Sequence, residues 1–256
     1  MSIAKLWSRG EGRRERPSAA VPDGTRVYAI GDIHGQIDQL RDLQSQIVAD
    51  AASGAPGRRL LVYLGDYVDR GQDSAAVVEH LIAGPPEGFE AVTLKGNHEA
   101  LLLDFLIAPD AGATWLVNGG KATLASYGID AEQDDPDDEE WLHGLHRRFV
   151  AALPQRHRTF FQGLAISHGE GDYFFAHAGI RPGVALEAQS AEDLIWIRYP
   201  FLQSKVDFGK IVVHGHTPDR SPVERDNRIG IDTGAVYGGR LTALVLEGAE
   251  RRFLQA

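Results

Sequence analysis

The chain contains no cysteine, which excludes disulfides, thiolate nucleophiles and sulfur-ligated metals; any metal site must use His, Asp, Glu or Asn. It also lacks any apolar run approaching the roughly 20 residues that a membrane-spanning helix needs. The first stretch, MSIAKLWSRGEGRRERPSAAVPDG, has no apolar core of the kind a secretory signal carries. The expected compartment is therefore the cytoplasm, with no membrane partner. Basic residues are outnumbered, 26 Lys and Arg against 36 Asp and Glu for a net charge of −10, so a nucleic-acid-binding surface is not expected. Part of the acid lies in DAEQDDPDDEEW (130–141), which lacks the spaced oxygens and central glycine of a calcium loop and reads as a solvated loop entering a helix. At 256 residues the chain is long enough for one sizeable core, and the expected organisation is a flexible N-terminal arm over 1–24 followed by a single domain over 25–256.

What is present is a repeated pattern. VYAIGDIHGQ (27–36) runs from an apolar stretch into Gly31, Asp32, His34 and Gly35. Taken alone this is equally a turn, since Gly-Asp is ordinary turn chemistry. The pattern recurs in RRLLVYLGDYVDRG (58–71), EAVTLKGNHEA (90–100), DYFFAHAGI (172–180) and KIVVHGHTP (210–218). Each is a short apolar run, read as a buried strand, that ends in glycine and metal-competent side chains. Between the first three lie helical patterns, with Leu40, Leu43 and Ile47 in one and Val77, Val78, Leu81 and Ile82 in the next. Strand–helix–strand alternation predicts an α/β fold with right-handed βαβ units and a largely parallel sheet, whose carboxyl ends gather the ligand chemistry. A turn explains one such cluster but not five of like composition, so Asp32 and His34 are expected to ligate metal. Residues 105–165 read as a mainly helical insert or lid. RIGIDTGAVYGGRLTALVLEG (228–248) reads as two antiparallel strands joined by a glycine-containing turn, completing a second sheet packed on the first.

Asp, Asn and His without sulfur suit Mn²⁺, Fe²⁺ or Zn²⁺. The candidates outnumber what one ion needs, and two ions sharing a carboxylate would use them all. Such a pair can hold a hydroxide and clamp phosphoryl oxygens during in-line attack. Phosphate also calls for planar guanidinium, and Arg70 and Arg198 are the candidates.

GDIHG, GDYVDRG and GNHE, in this order and spacing, resemble the motifs of metallophosphoesterases of the phosphoprotein phosphatase family, and HAGI, LIWIR and HGHT are similar to its downstream motifs. The resemblance covers about residues 26–240 and is best to the small bacterial and phage serine/threonine protein phosphatases. It implies the calcineurin-like fold, two packed β-sheets flanked by helices in an αββα sandwich, and two divalent ions, foremost Mn²⁺. It further implies Asp32 and His34 on the first metal, Asp66 bridging, and Asn97, His177 and His216 on the second. His98 resembles the general acid, with Asp69 orienting it; Arg70 and Arg198 resemble the phosphate-binding arginines, aided by Asn97 and by Tyr237 near the site. His214 reads as a strand-end imidazole beside a ligand. His80, His143, His146, His157 and His168 fall outside the motifs and read as surface or helix-face residues. Position 218 is proline where many relatives in the wider superfamily carry a further ligating histidine, which weakens a nuclease-like reading. The implied activity is a phosphomonoesterase acting on phosphoserine or phosphothreonine in proteins. The alternative is a hydrolase of diadenosine tetraphosphate-type dinucleoside polyphosphates or nucleotides, whose symmetrical members typically have alanine where Asp69 stands. A non-catalytic phosphate-sensing scaffold, a more remote reading, predicts a damaged ligand set, and this one is intact.

Overall fold

The computed structural model describes residues 18–53, 57–131 and 138–256. The described residues form ten strands and nine α-helices. The strands are β1 (Thr25–Ile30), β2 (Arg58–Tyr63), β3 (Glu90–Thr93), β4 (Ser167–Glu170), β5 (Tyr173–Ala176), β6 (Ile211–His214), β7 (Val223–Glu224), β8 (Arg228–Gly230), β9 (Thr242–Glu247) and β10 (Glu250–Gln255). The helices are α1 (Ile37–Ala52), α2 (Ser74–Ile82), α3 (Asn97–Ile107), α4 (Gly112–Trp115), α5 (Lys121–Ser126), α6 (Glu139–Ala152), α7 (Gln155–Gln162), α8 (Ala191–Trp196) and α9 (Tyr199–Leu202). The strands form two five-stranded mixed sheets, ordered β10-β9-β1-β2-β3 and β4-β5-β6-β8-β7.

Because both faces of each central strand are covered, the strands read as continuous apolar runs rather than alternating ones. In β1, Val27 and Ala29 point into the layer between the sheets with Leu60, Val62, Leu244, Phe175, Val213 and Ile229. Tyr28 and Ile30 point the other way, onto Leu40, Leu43 and Ile47 of α1 and Val77 and Val78 of α2. On the far side of the second sheet, Phe174, Ala176 and Val212 pack on Leu194, Ile197 and Phe201. Successive residues of one strand thus feed different cores, as the two-residue side-chain period requires. The αββα sandwich expected from the motifs is the fold.

Two expectations need correction. The five clusters do not lie along a single sheet: β1, β2 and β3 run parallel in the first, whereas β5 and β6 run parallel in the second. The site forms where the carboxyl ends of both sheets meet. The C-terminal strands also do not pair with one another. β8 adds parallel to β6, while β9 crosses to the first sheet and runs antiparallel to β1, pairing Tyr28 with Val245. Strand existence is written in local composition, but a strand's partner is chosen by which face it buries.

Residues 1–17 of the expected arm lie outside the described residues, as do 132–137 of the acidic run. Residues 18–24 are bonded into the domain: Val21 N–H donates to Gly248 O, and Ala20 N–H to the Asp172 carboxylate. Beyond the acidic run, Asp138 caps α6 by accepting from the N–H groups of Glu140 and Trp141. Over the expected insert, α4 to α7 pack on α2 and α3 at the side of the first sheet. Among the described residues no helix is long and apolar enough to cross a membrane.

Candidate active site

Each loop that leaves a central strand delivers side chains to one point, and Asp66 lies at its centre. Its Oδ2 is 3.5 Å from His34 Nε2 and 3.8 Å from His98 Nε2, while its Oδ1 is 3.4 Å from His177 Nε2. Asn97 Oδ1 lies 3.0 Å from His177 Nε2 and 2.8 Å from His216 Nδ1. Two groups of ligand-type atoms result, His34–Asp66–His98 and Asp66–His177–His216, and all of these residues are buried. Asp32 stands beside them; its carboxylate accepts from His216 N–H at 3.0 Å. Geometry alone therefore puts His98 in the first group, where the motifs put Asp32 and His34.

The backbone conformations explain how residues so close in sequence converge. Among the described residues, positive φ outside glycine occurs at five positions: His34 (45°), Asp66 (53°), Asp69 (73°), Arg70 (68°) and His216 (64°). All five belong to this site. Left-handed backbone costs of order 1–3 kcal/mol per residue and persists only where the surroundings over-determine it. Glu99, quoted in the GNHE motif without a role, supplies part of that support. Its buried carboxylate accepts from the N–H groups of Asp66 (2.9 Å), Tyr67 (2.7 Å) and Gly96 (2.9 Å), tying the β2 loop to the start of α3. Burial and the Asp66 charge push Glu99 up to about 7 against the pull of those donors. At Gly65, with φ of 106°, an added Cβ would sit 2.5 Å from Gly96 N, so only glycine lets the two loops touch.

The electrostatics suit cations. Burial alone would raise the Asp66 carboxyl, but the imidazoles of His177, His98, His34 and His216 outweigh it and hold it below the usual range. Burial lowers His34 to about 3 and His216 to about 2, and lowers His177 as well, so these rings are neutral with lone pairs available. Backbone carbonyls set two tautomers: Nδ1 of His34 donates to Val68 O at 2.8 Å, and Nδ1 of His177 to Leu64 O at 3.0 Å, leaving each Nε2 unprotonated and facing Asp66. A central carboxylate shared by two groups of neutral imidazoles and an amide oxygen fits a pair of divalent ions. His34, Asp66, Asn97, His177 and His216, with Asp32 alongside, are the residues that could hold them.

The remaining candidates surround this centre. His98 Nδ1 meets Asp69 Oδ2 at 2.6 Å. Burial pulls His98 down, but the carboxylates of Asp66 and Asp69 outweigh it and the net shift is upward. Arg70 Nη1 donates to His34 Nε2 at 2.6 Å, and Arg198 Nε to His216 Nε2 at 3.0 Å, so both guanidinium groups rest on ligand-type imidazoles. Tyr237 is 64% exposed, and its ring faces the Arg70 guanidinium at 5.7 Å. His214 is buried but turned away, with Nδ1 donating to Gly215 O and Nε2 accepting from Arg228. His80, His143 and His146 bond elsewhere, to Gln44, Asp110 and the Leu106 carbonyl, and His168 Nε2 lies 3.4 Å from Glu170 without a hydrogen bond. His157 is no surface residue: it is buried between Tyr127 and Glu79. Two further residues escaped sequence reading. Asp232, buried after β8, interacts with Asp32, and burial raises it to about 6. Trp196 is 40% exposed, with its ring edge-on to His216 at 6.2 Å. A DTG triplet after an apolar run signals the first; nothing local signals the second.

Replacing Arg70 or Arg198 by lysine keeps the charge but removes the bidentate fork that phosphate prefers. Both variants are expected to lose turnover and inhibition by inorganic phosphate while keeping their metal content. A surface ion pair would instead cost no more than about 1 kcal/mol of stability and leave turnover near normal. Turnover, phosphate inhibition and elemental analysis measured on the same preparations separate the two.

The sandwich and its paired ligand groups define a metallophosphoesterase. The chain belongs to the calcineurin-like phosphoesterase family, whose model matches residues 25–240. It is 26% identical over 244 residues to an asymmetrical bis(5'-nucleosyl)-tetraphosphatase of Bacillus thuringiensis, covering 84% of this chain and 88% of that protein. The corresponding protein of Anoxybacillus flavithermus is 27% identical over 233 residues at the same coverage. Among solved structures, a protein assigned as a diadenosine tetraphosphatase superposes with a TM-score of 0.58 at 23% identity, covering 94% of this chain and 99% of that one. A cold-active protein-tyrosine phosphatase of a Shewanella species gives 0.59 at 17% identity, covering 100% and 92%. At these identities the structural likenesses speak to the fold alone.

Proposed function

We propose that the protein hydrolyses a phosphoanhydride bond in a dinucleoside polyphosphate or related nucleotide, with two divalent ions, foremost Mn²⁺, held by the Asp66-centred groups. The observation that carries this reading is the pair of exposed aromatic side chains at the edge of the centre, Trp196 beside the ligand-type His216 and Tyr237 beside Arg70. A base stacked on such a face gains about 1–3 kcal/mol. A dinucleoside polyphosphate carries a base at each end of its phosphate chain, which suits aromatic faces next to two different site residues. The names of the curated relatives support the same substrate class.

The two ions would supply a water deprotonated at neutral pH and neutralise phosphoryl charge. The chain's own residues do the rest. Arg70 and Arg198 grip non-bridging oxygens, and Asn97 lends an amide donor. Asp69 accepts from Nδ1–H of His98 and favours the doubly protonated ring, whose Nε2–H passes its proton to the leaving oxygen and leaves a neutral imidazole.

One observation favours the second reading, a phosphomonoesterase acting on phosphoserine or phosphothreonine. The His98–Asp69 pair is buried and hydrogen-bonded. An alkoxide leaving group needs such a proton donor more than a nucleotide phosphate does.

Turnover of diadenosine tetraphosphate, a phosphoserine peptide and an aryl phosphate, compared side by side with Mn²⁺, tests the choice. The tetraphosphate is expected to have the highest kcat/KM. Trp196→Ala or Tyr237→Ala should raise its KM about tenfold, one stacked base at 1–3 kcal/mol, with little change for the aryl phosphate. A peptide turned over faster than the tetraphosphate, insensitive to both substitutions, selects the phosphomonoesterase.

A further inference from the structure

We propose that the helical segment running from α4 to α5 is a clamp on the proton donor, with Trp115 and Thr123 positioning His98 through Asp69. This rests on the reading of His98 as the group that protonates the leaving oxygen.

The Asp69 carboxylate is fully buried and has three partners. Oδ2 receives His98 Nδ1 at 2.6 Å; Trp115 Nε1 donates across both oxygens at 3.0 and 3.1 Å; Thr123 Oγ1 donates to Oδ1 at 2.6 Å. The Thr123 hydroxyl also accepts from the Asp69 N–H at 2.8 Å, so one side chain grips both the carboxylate and the backbone of a left-handed residue. Trp115 and Thr123 are themselves fully buried. The clamp reaches the next residue too. Arg70, also left-handed, donates its N–H to Gly119 O at 3.1 Å. Gly119 lies in a π-helical turn, Leu116–Gly120, with φ of 109°, and an added Cβ there would meet Arg70 Cγ at 2.7 Å.

A carboxylate free to turn about its last torsion would present either oxygen to His98. With Trp115 spanning both oxygens and Thr123 on one, a single orientation remains, and Oδ2 is the oxygen offered to Nδ1. The imidazole is thereby fixed with its other nitrogen toward the centre. A purely structural role, satisfying a buried carboxylate, predicts lost stability but no selective effect on protonation.

The test uses Thr123→Val, which removes the hydroxyl at constant shape, and Trp115→Phe, which keeps a ring against Phe105 and Phe149. Each is expected to lower kcat about tenfold on an alkyl phosphomonoester, part of the 10²–10⁴ a general acid supplies, and less than about threefold on an aryl phosphate, with KM unchanged. Thr123→Ser should restore the alkyl rate, and neither loss should persist in an Asp69→Asn background. Equal losses on both leaving groups, or losses that persist without Asp69, overturn the proposal. Should the wild-type enzyme turn over neither ester, that outcome excludes the phosphomonoesterase reading alone. The clamp is then read in ¹⁵N-histidine-labelled protein loaded with Zn²⁺: the His98 Nδ1 proton is expected at low field and slow to exchange in wild type, and shifted or exchange-broadened in Thr123→Val. An unchanged resonance there overturns the clamp.

Discussion

Asp66→Asn is expected to empty both ligand groups and to lower turnover by a factor of about a thousand or more. The substitution keeps shape and removes only charge, and Asp66 is the one residue common to both groups. Its two oxygens face different imidazoles, His34 and His98 on one side and His177 on the other, so no neighbouring side chain substitutes for it. Removing the central anion leaves neutral imidazoles and an amide facing two cations, with Asp32 alone as a carboxylate at the edge. Metal charge stabilisation is worth several kcal/mol, and each 1.36 kcal/mol is tenfold in rate. Elemental analysis should read near two ions per chain in wild type and below one in the variant, with circular dichroism confirming that the variant is folded. A single tightly held ion in fully active wild-type enzyme would contradict the shared-carboxylate arrangement.

The second large effect is expected at His98. His98→Gln should keep most of the bound metal and lose roughly 10²–10⁴ in turnover on substrates with poor leaving groups. The imidazole is buried with Nδ1 on Asp69 at 2.6 Å and Nε2 3.8 Å from Asp66 Oδ2. That position serves either of two roles, proton donor or ligand, and the substitution distinguishes them. A proton donor predicts a loss that shrinks as the leaving group becomes more acidic, from alkyl phosphate to aryl phosphate to nucleotide. A ligand predicts lost metal and equal losses across the series. Parallel measurement of turnover and metal content on one preparation decides between these outcomes.

Much of the site was legible in the sequence because metal and phosphate chemistry admits few residue types. Asp32, His34, Asp66, Asn97, His98, His177 and His216 each follow an apolar run, and an apolar run ending in glycine marks the point where a strand's backbone leaves the sheet. A loop at a strand's carboxyl end is where such side chains can converge, whatever the sheet's detailed order. The unbroken apolar run of β1 likewise announced a strand buried on both faces.

Tertiary structure decided everything that depends on a partner distant in the chain. Which sheet takes β9 follows from the faces it covers, and its distance from β1 in sequence carries no trace of that. Glu99 was visible only as a letter in a motif; its work, gathering four N–H groups of two loops, exists only once those loops touch. Trp115 and Thr123 sit in the stretch read only as a mainly helical insert or lid, and only the packing of that stretch beside α2 brings them to Asp69. The five left-handed residues show the same division. Their identities come from the chemistry the site needs, but their backbone angles come from contacts made by other segments, since an isolated Asp, His or Arg does not favour positive φ. The sequence by itself therefore determined the donor atoms and the strands that carry them. The tertiary structure determined the distances and orientations, because hydrogen bonds and packing between remote segments act only after the chain has closed.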